Sequence, residues 1–463
     1  MLWTESERGK EISSRSRHIA AHESAMRGLV WTAGDGVTSV TSPGTSSSMP
    51  KDAYNDPLAR KRAILRALFG GDERLRGGAI RHRAKAGNLQ LRHVDDDLDE
   101  PPGIADFRRA ASYCHDRGML RYLETAWERW AATPEEERCR FFRRATSAAS
   151  DASSSTPTPS DAIPALVPAN YCARHDAITR PGANLHSQTC YYHTDDDTPI
   201  FEGLLGQLVA DATVAVACAA HVVVQRERLA RFDRTLNDDP VDAFYHYACV
   251  NHPGHHAGKS TMGGYCYVNN AAMIARVIQE HHTLRNPDRA KPVNVAILDV
   301  DYHAGNGTAS IFWEDPTVFV ASIHADPNGD YPWNACFEDD VGGGDGEGFT
   351  RCAPLPRRAG WDVYEPALAG SLDAIKAQRP FALIVSLGLD AHADDPVQEK
   401  ATAGMELTVD DYFNVGRMIR ETADAVDATV VFVQEGGYQV EVAGELVRTV
   451  FKGFEAGGVS IAG

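Results

Sequence analysis

From about residue 200 onward, short runs of β-branched and apolar residues alternate with longer stretches of helical periodicity, and no other feature constrains the fold as tightly. The runs are Ala243–Val250, Val293–Val300, Val318–Ile323, Phe381–Leu387 and Thr429–Val433. Strands that are apolar throughout belong to sheets covered on both faces, and intervening helices supply both the cover and the crossovers that parallel pairing needs. The pattern predicts a single α/β domain of three layers, α/β/α, doubly wound around a mostly parallel central sheet. At 463 residues and 43% hydrophobic, the chain can fill one large core of this kind. In such sheets ligands bind beyond the carboxyl ends of the strands.

Outside that region the composition changes. Val37–Met49 and Ala145–Asp161 are dominated by Ser, Thr, Gly, Pro and Ala, and offer too little apolar surface to offset the entropy of ordering. We therefore expect a variable, partly disordered extension over residues 1–85. The main domain is expected over 86–463, with a low-complexity insertion at about 145–161. Between these segments Asp106–Trp130 reads as two helices, with Leu120, Leu123, Ala126 and Trp127 at helical spacing.

The formal charge of −18 argues against a nucleic-acid-binding surface, which needs clustered Lys and Arg, and favours cationic ligands. Acidic runs at Asp95–Asp97 and Asp195–Asp197 add to that field. The nine cysteines, from Cys114 to Cys352, are odd in number and include no C-x-x-C pair, as suits reduced thiols. No apolar run follows the charges of Met1–Arg8, and the most apolar window, Ala212–Val224, is too short to span a bilayer. The expectation is a soluble cytoplasmic protein without a membrane partner, the nucleus remaining open.

The chemistry concentrates after the apolar runs. Ala296–Val300 leads into Asp299, Asp301 and His303, spaced so that in an extended chain the three side chains share one side. Charge gathered at the end of a buried strand is costly unless a cation compensates it. A second run ends in Gly388-Leu389-Asp390. One His with two Asp would form a three-ligand site with a position left for water, the catalytic arrangement of zinc; for Asp390 alone a helix N-cap is the competing reading. Asn251-His252-Pro253-Gly254-His255-His256 places adjacent imidazoles in a turn, suited to proton transfer unless they are simply solvated. Gln434-Glu435-Gly436-Gly437-Tyr438 sets a phenol after paired glycines, where it could donate to a developing oxyanion.

Together these motifs resemble the histone deacetylase superfamily, whose order P-G-H-H-A, G-G-[YF]-C, D-x-D-x-H, L-G-x-D and G-G-Y recurs here. The matching stretches are Pro253–Ala257, Gly263–Cys266, Asp299–His303, Leu387–Asp390 and Gly436–Tyr438. The resemblance spans roughly Asp106–Phe454 and is nearest to the acetylpolyamine amidohydrolases, through Tyr122–Trp130, Ser322–Pro327 and Tyr331-Pro332. It implies the arginase/deacetylase fold and a zinc-dependent deacetylase with one Zn2+ per chain, held by Asp301, His303 and Asp390. By the same resemblance His256 is the general base and then the acid, His255 is an electrostatic partner held by Asp299, and Tyr438 polarises the scissile carbonyl. Gly264 and Tyr265 contact substrate along the tunnel. Asn306 matches the polyamine branch, and a monovalent cation such as K+ sits near Asp299, Asp301, His303 and Ser322.

Departures from the pattern are Ala304, where a second His is usual, and a short insertion at Gln398–Gly404. The N-terminal segment that carries an acidic substrate contact and builds the homodimer in polyamine deacetylases has no match. The implied substrate is a small cationic acetylated amine. The alternatives are an acetyl-lysine protein, acted on by the same core, or a non-catalytic binding module on the same fold. The intact ligand set and Tyr438 weigh against the binding module. The single metal triad weighs against arginase-like dinuclear chemistry.

Overall fold

Alternate residues of each apolar run feed two different cores, which is why these runs are strands. The computed structural model describes residues 27–32, 57–69, 89–93, 104–143, 165–172, 179–231, 243–288, 291–398 and 404–458. Within it Val295 and Ile297 pack into one core while Ala296 and Leu298 pack into the other. The strands are β1 (Arg27–Thr32), β2 (Leu89–His93), β3 (Phe142–Arg143), β4 (Ala165–Pro168), β5 (Ile200–Phe201) and β6 (Ala243–Ala248), then β7 (Val295–Asp299), β8 (Val318–Ala325), β9 (Thr350–Leu355), β10 (Ala382–Leu387) and β11 (Thr429–Gln434). Among the described residues the main sheet has eight strands in the order β2-β1-β6-β11-β10-β7-β8-β9, every pair parallel. β3, β4 and β5 form a small antiparallel sheet.

Helices cover both faces. The elements used below are α1 (Pro57–Phe69), α2 (Ile104–Ala111), α3 (Arg117–Ala131), α4 (Leu204–Arg231), α5 (Asn270–Arg285), α6 (Trp361–Gln378), α7 (Val409–Val426) and α8 (Val440–Gly457). One core joins α2, α3, α4 and α5 to the sheet; the other joins α1, α6, α7 and α8 to its opposite face. The three-layer α/β/α architecture is therefore as the alternation predicts. Local chemistry starts the helices: Asn269 accepts from the Ala272 N–H at the head of α5, and Thr408 with Asp411 forms a capping box at α7. The paired helices expected over Asp106–Trp130 are α2 and α3, with Leu120, Leu123 and Ala126 buried and Trp127 against the core.

Two expectations are corrected. Residue 85 does not bound a loosely attached extension, because β1 pairs in parallel with both β2 and β6 and buries Val30 completely. α1 buries Ile64, Leu65, Leu68 and Phe69 against α8 and the sheet. β1 is short and α1 carries weak periodicity, so their contribution shows only when their partners are in place. The apolar stretch around Ala212–Val224 is also longer than a thirteen-residue window suggests. It belongs to the 28-residue α4, long and apolar enough by length and composition to cross a bilayer, yet 61% of its most apolar window is buried. Leu208, Ala212, Ala215, Ala219, Val222 and Val223 line one side of α4 at helical spacing and form core. The eight cysteines among the described residues are free thiols. The segments Val37–Met49, Asp95–Asp97 and Ala145–Asp161, and all of Gln398–Gly404 except its two ends, lie outside the described residues.

Candidate active site

The central strands β6, β11, β10 and β7 are neighbours, and each ends in one of the motifs: the histidine pair, Gly436–Tyr438, Asp390 and Asp299–His303. Sheet order alone thus gathers residues from four distant parts of the chain at one edge. Asp299 is the last residue of β7, paired in register with Ser386 and Ser322. Beyond it the chain bends instead of staying extended. Asp299 accepts from the Asp301 N–H and Asp301 from the His303 N–H, each at 3.0 Å. These turns divide the three side chains that an extended strand would have kept together. Asp299 turns to His255, while Asp301 and His303 meet Asp390.

Asp301, His303 and Asp390 offer ligand atoms that all lie within 4.8 Å of one another. His303 Nδ1 stands 3.5 Å from Asp301 Oδ1 and 3.4 Å from Asp390 Oδ2. The outer oxygens are held by backbone: Gly436 N–H donates to Asp301 Oδ2 at 2.9 Å and Tyr302 N–H to Asp390 Oδ1 at 3.0 Å. Asp390 Oδ2 is buried without a hydrogen-bond partner. A side chain at Gly436 would strike both carboxylates, so only glycine allows this approach. Burial and the neighbouring Asp301 charge push the Asp390 carboxyl up to about 7. Burial works against charging His303, but the adjacent Asp301 and Asp390 carboxylates outweigh that and raise it to about 9. Two buried carboxylates, one imidazole and an oxygen without a partner suit a divalent ion bound by one nitrogen and carboxylate oxygens.

The adjacent histidines face opposite surroundings. His255 Nδ1 lies 3.0 Å from Asp299 Oδ2 and its Nε2 3.6 Å from Asp301 Oδ1. Burial would lower its pKa, but the Asp301 and Asp299 charges hold it well above the usual imidazole range. His256 Nδ1 donates to Asn306 Oδ1 at 2.7 Å. Burial, reinforced by His255 and His303, holds its pKa well below the usual range. With Nδ1–H engaged by Asn306, Nε2 carries the lone pair.

Across from the histidines, Tyr438 is 8% exposed and its ring lies 5.7 Å from that of Tyr265. Burial pushes its phenol well above the ordinary range, so it remains a donor. A Cβ at Gly264, where φ is 55°, would meet the His256 ring. The Gly264 N–H donates to Asp195 Oδ2 at 2.6 Å. Ser322 Oγ accepts from the Gly305 N–H at 3.3 Å and bonds His324 Nδ1 at 2.8 Å, beside the Asp299 turn. A cavity of about 600 Å³ opens over these groups, lined by His256, Gly264, Tyr265, His303, Tyr331 and Tyr438 among others. Asp197 and Asp330 also line it, so the acidic run is divided: Asp197 faces the cavity while Asp195 is spent on Gly264 and Tyr331.

Three groups were not singled out from sequence. Glu435 Oε2 accepts from the Gly254 and His255 N–H groups at 2.6 and 3.2 Å, and Oε1 accepts from Ser386 Oγ at 3.0 Å; burial pushes it up to about 7. Asp395 Oδ2 accepts from the Tyr438 N–H at 2.7 Å. Arg60 of α1 donates to the carbonyls of Gly437 and Asn251, each at 3.3 Å. Glu435 lay inside a motif already marked; Asp395 and Arg60 carry no local signal.

A triad suited to a divalent ion, with a neutral imidazole and a protonated phenol at one cavity, fits a hydrolase of the metal-dependent amide-cleaving class, on the arginase/deacetylase fold. The sequence profile of the histone deacetylase domain matches residues 100–454, and the chain belongs to that family. It is a deacetylase. Acetylpolyamine amidohydrolase 1 of Pseudomonas aeruginosa is 31% identical over 80% of this chain and 90% of its own length. Histone deacetylase 10, chloroplastic, of Oryza sativa subsp. japonica is 37% identical, over 45% of this chain and 44% of its own. The crystal structure of acetylpolyamine aminohydrolase from Burkholderia pseudomallei superposes with a TM-score of 0.65 at 25% identity, covering 93% of this chain and 99% of that one.

Proposed function

We propose that the protein is a zinc-dependent hydrolase of acetylpolyamines or similar cationic acetyl-amines. The observation that carries the substrate is the cavity lining: among the described residues it contains the carboxylates Asp197 and Asp330, beside His303 of the triad, and no Lys or Arg. An amine bearing a further ammonium group meets complementary charge there, and an anionic substrate would not. The likeness to polyamine hydrolases over most of both chains supports the same reading, whereas the quoted histone deacetylase matches under half.

Asp301, His303 and Asp390 would hold the metal, and their two oxygens and one nitrogen suit zinc. Bound zinc supplies Lewis-acid polarisation of the acetyl carbonyl and a more acidic water. The remaining chemistry belongs to the chain. His256 Nε2 takes the proton of the attacking water, with Asn306 fixing the ring, and later returns it to the leaving amine. Tyr438 donates its hydroxyl to the carbonyl oxygen as negative charge develops there. His255, kept charged by Asp299, adds fixed positive potential at that moment. Gly264 and Tyr265 line the path of the amine chain.

The test is turnover of acetylputrescine, acetylspermidine and an acetyl-lysine peptide by the purified, zinc-loaded protein. We expect the highest kcat/KM on the polyamines. Faster turnover of the peptide than of both polyamines would overturn the substrate reading while leaving the deacetylase intact.

A further inference from the structure

Trp333 lines the cavity yet exposes 58% of its surface. Its backbone stands at φ 61°, a left-handed conformation that residues with a β-carbon adopt only at a cost. The turn that imposes this is closed by the Trp333 N–H donating to the Asp330 carbonyl at 3.0 Å. The indole stands edge-on to Tyr331, ring centroids 5.1 Å apart. Tyr331 in turn packs against His256 at 4.7 Å and donates its hydroxyl to Asp195 at 3.0 Å. The indole is thus held in position by groups that also shape the reaction centre. Core packing does not explain a large aromatic that is left mostly in water, in a strained backbone, at the rim of a cavity.

We propose that Trp333 is a specificity-determining residue: its indole face receives the portion of the substrate that remains outside the tunnel, an aliphatic chain carrying an ammonium group. An indole face attracts a cation through its quadrupole. The carboxylates of Asp197 and Asp330 line the same cavity and add charge of the required sign. This inference rests on the reading of the enzyme as an acetylpolyamine hydrolase.

Kinetics of the parent zinc-loaded enzyme, Trp333→Ala and Trp333→Phe on acetylputrescine, acetylspermidine and N-pentylacetamide test it. N-pentylacetamide replaces the terminal ammonium of acetylputrescine by a methyl group. Trp333→Ala should raise KM for the two cationic substrates about tenfold, with kcat held within about twofold, the size expected of a partly solvated cation–aromatic contact. Trp333→Phe, which keeps an aromatic face, should recover most of the loss, and N-pentylacetamide should be little affected. A similar loss on all three substrates, or no loss on any, overturns the assignment. If the parent shows no preference for acetylputrescine over N-pentylacetamide, the polyamine reading itself falls and the Trp333 role with it. A parental preference that survives undiminished in Trp333→Ala removes Trp333 alone.

Discussion

Two adjacent imidazoles, identical in covalent chemistry, take different charge states: the Asp301 and Asp299 carboxylates keep His255 protonated against burial, while burial and the neighbouring His255 and His303 keep His256 neutral. Asp299 beside His255 and Asn306 beside His256 are therefore as much part of the site as the rings themselves. Environments that push neighbouring titrations apart assign acid and base roles. His256→Ala and Tyr438→Phe should each lower kcat by about 10² or more with metal content unchanged, since neither belongs to the triad. Parental turnover by Tyr438→Phe would end its assignment to the oxyanion. The triad makes a second prediction, with a definite sign. His303, raised to about 9, and Asp390, raised to about 7, hold protons below those values, and a protonated ligand cannot bind a cation. Apparent zinc affinity should therefore rise from pH 6 to 9, by up to about tenfold per unit for each proton displaced. Chelator competition at several pH values measures this, and a flat profile would contradict it.

At the scale of elements, the loops carrying the chemistry are held by buried groups from strands and helices far away in sequence. Glu435, at the end of β11, ties the Gly254–His255 turn to Ser386 of β10. Arg60 of α1 reaches two loops at once, and its guanidinium carbon lies 5.6 Å from the Tyr438 ring centroid. We expect Arg60→Met to leave two buried carbonyls short of a donor, costing about 1–3 kcal/mol in denaturant unfolding. It should also lower kcat by roughly tenfold through misplacement of Tyr438, with little change in KM. Unaltered kcat in a destabilised variant would reduce Arg60 to a purely structural role.

For the whole molecule, two elements before residue 86, β1 and α1, complete the fold. β1 extends the sheet beyond β6, and α1 closes one face against α8. A chain lacking residues 1–85 would expose Ile64's and Leu65's partners on α8 and one edge of β6, and it should be insoluble or lose cooperative unfolding. Within the intact chain, Leu65→Ala should cost about 2–5 kcal/mol, as expected for a buried leucine. A truncated protein with the parental Tm and activity would restore the boundary first expected from composition.

What the sequence determined by itself follows from patterns that are local. Apolar runs separated by helical stretches specified the parallel sheet, because burial on both faces leaves that mark on every strand. Asp301, His303, Asp390, His256 and Tyr438 were legible because each closes such a run, and strand ends are where this architecture collects its chemistry. The tertiary structure decided what depends on which distant groups meet. The bends after Asp299 separate it from the triad, although spacing alone would group all three side chains. Glu435, Asp395 and Arg60 act through hydrogen bonds to groups as many as 377 residues away, and no local pattern encodes such partners. β1 is likewise too short, and α1 too weakly periodic, to declare itself; they are stabilised by the sheet and helix they complete, and only the assembled core shows that they belong to it.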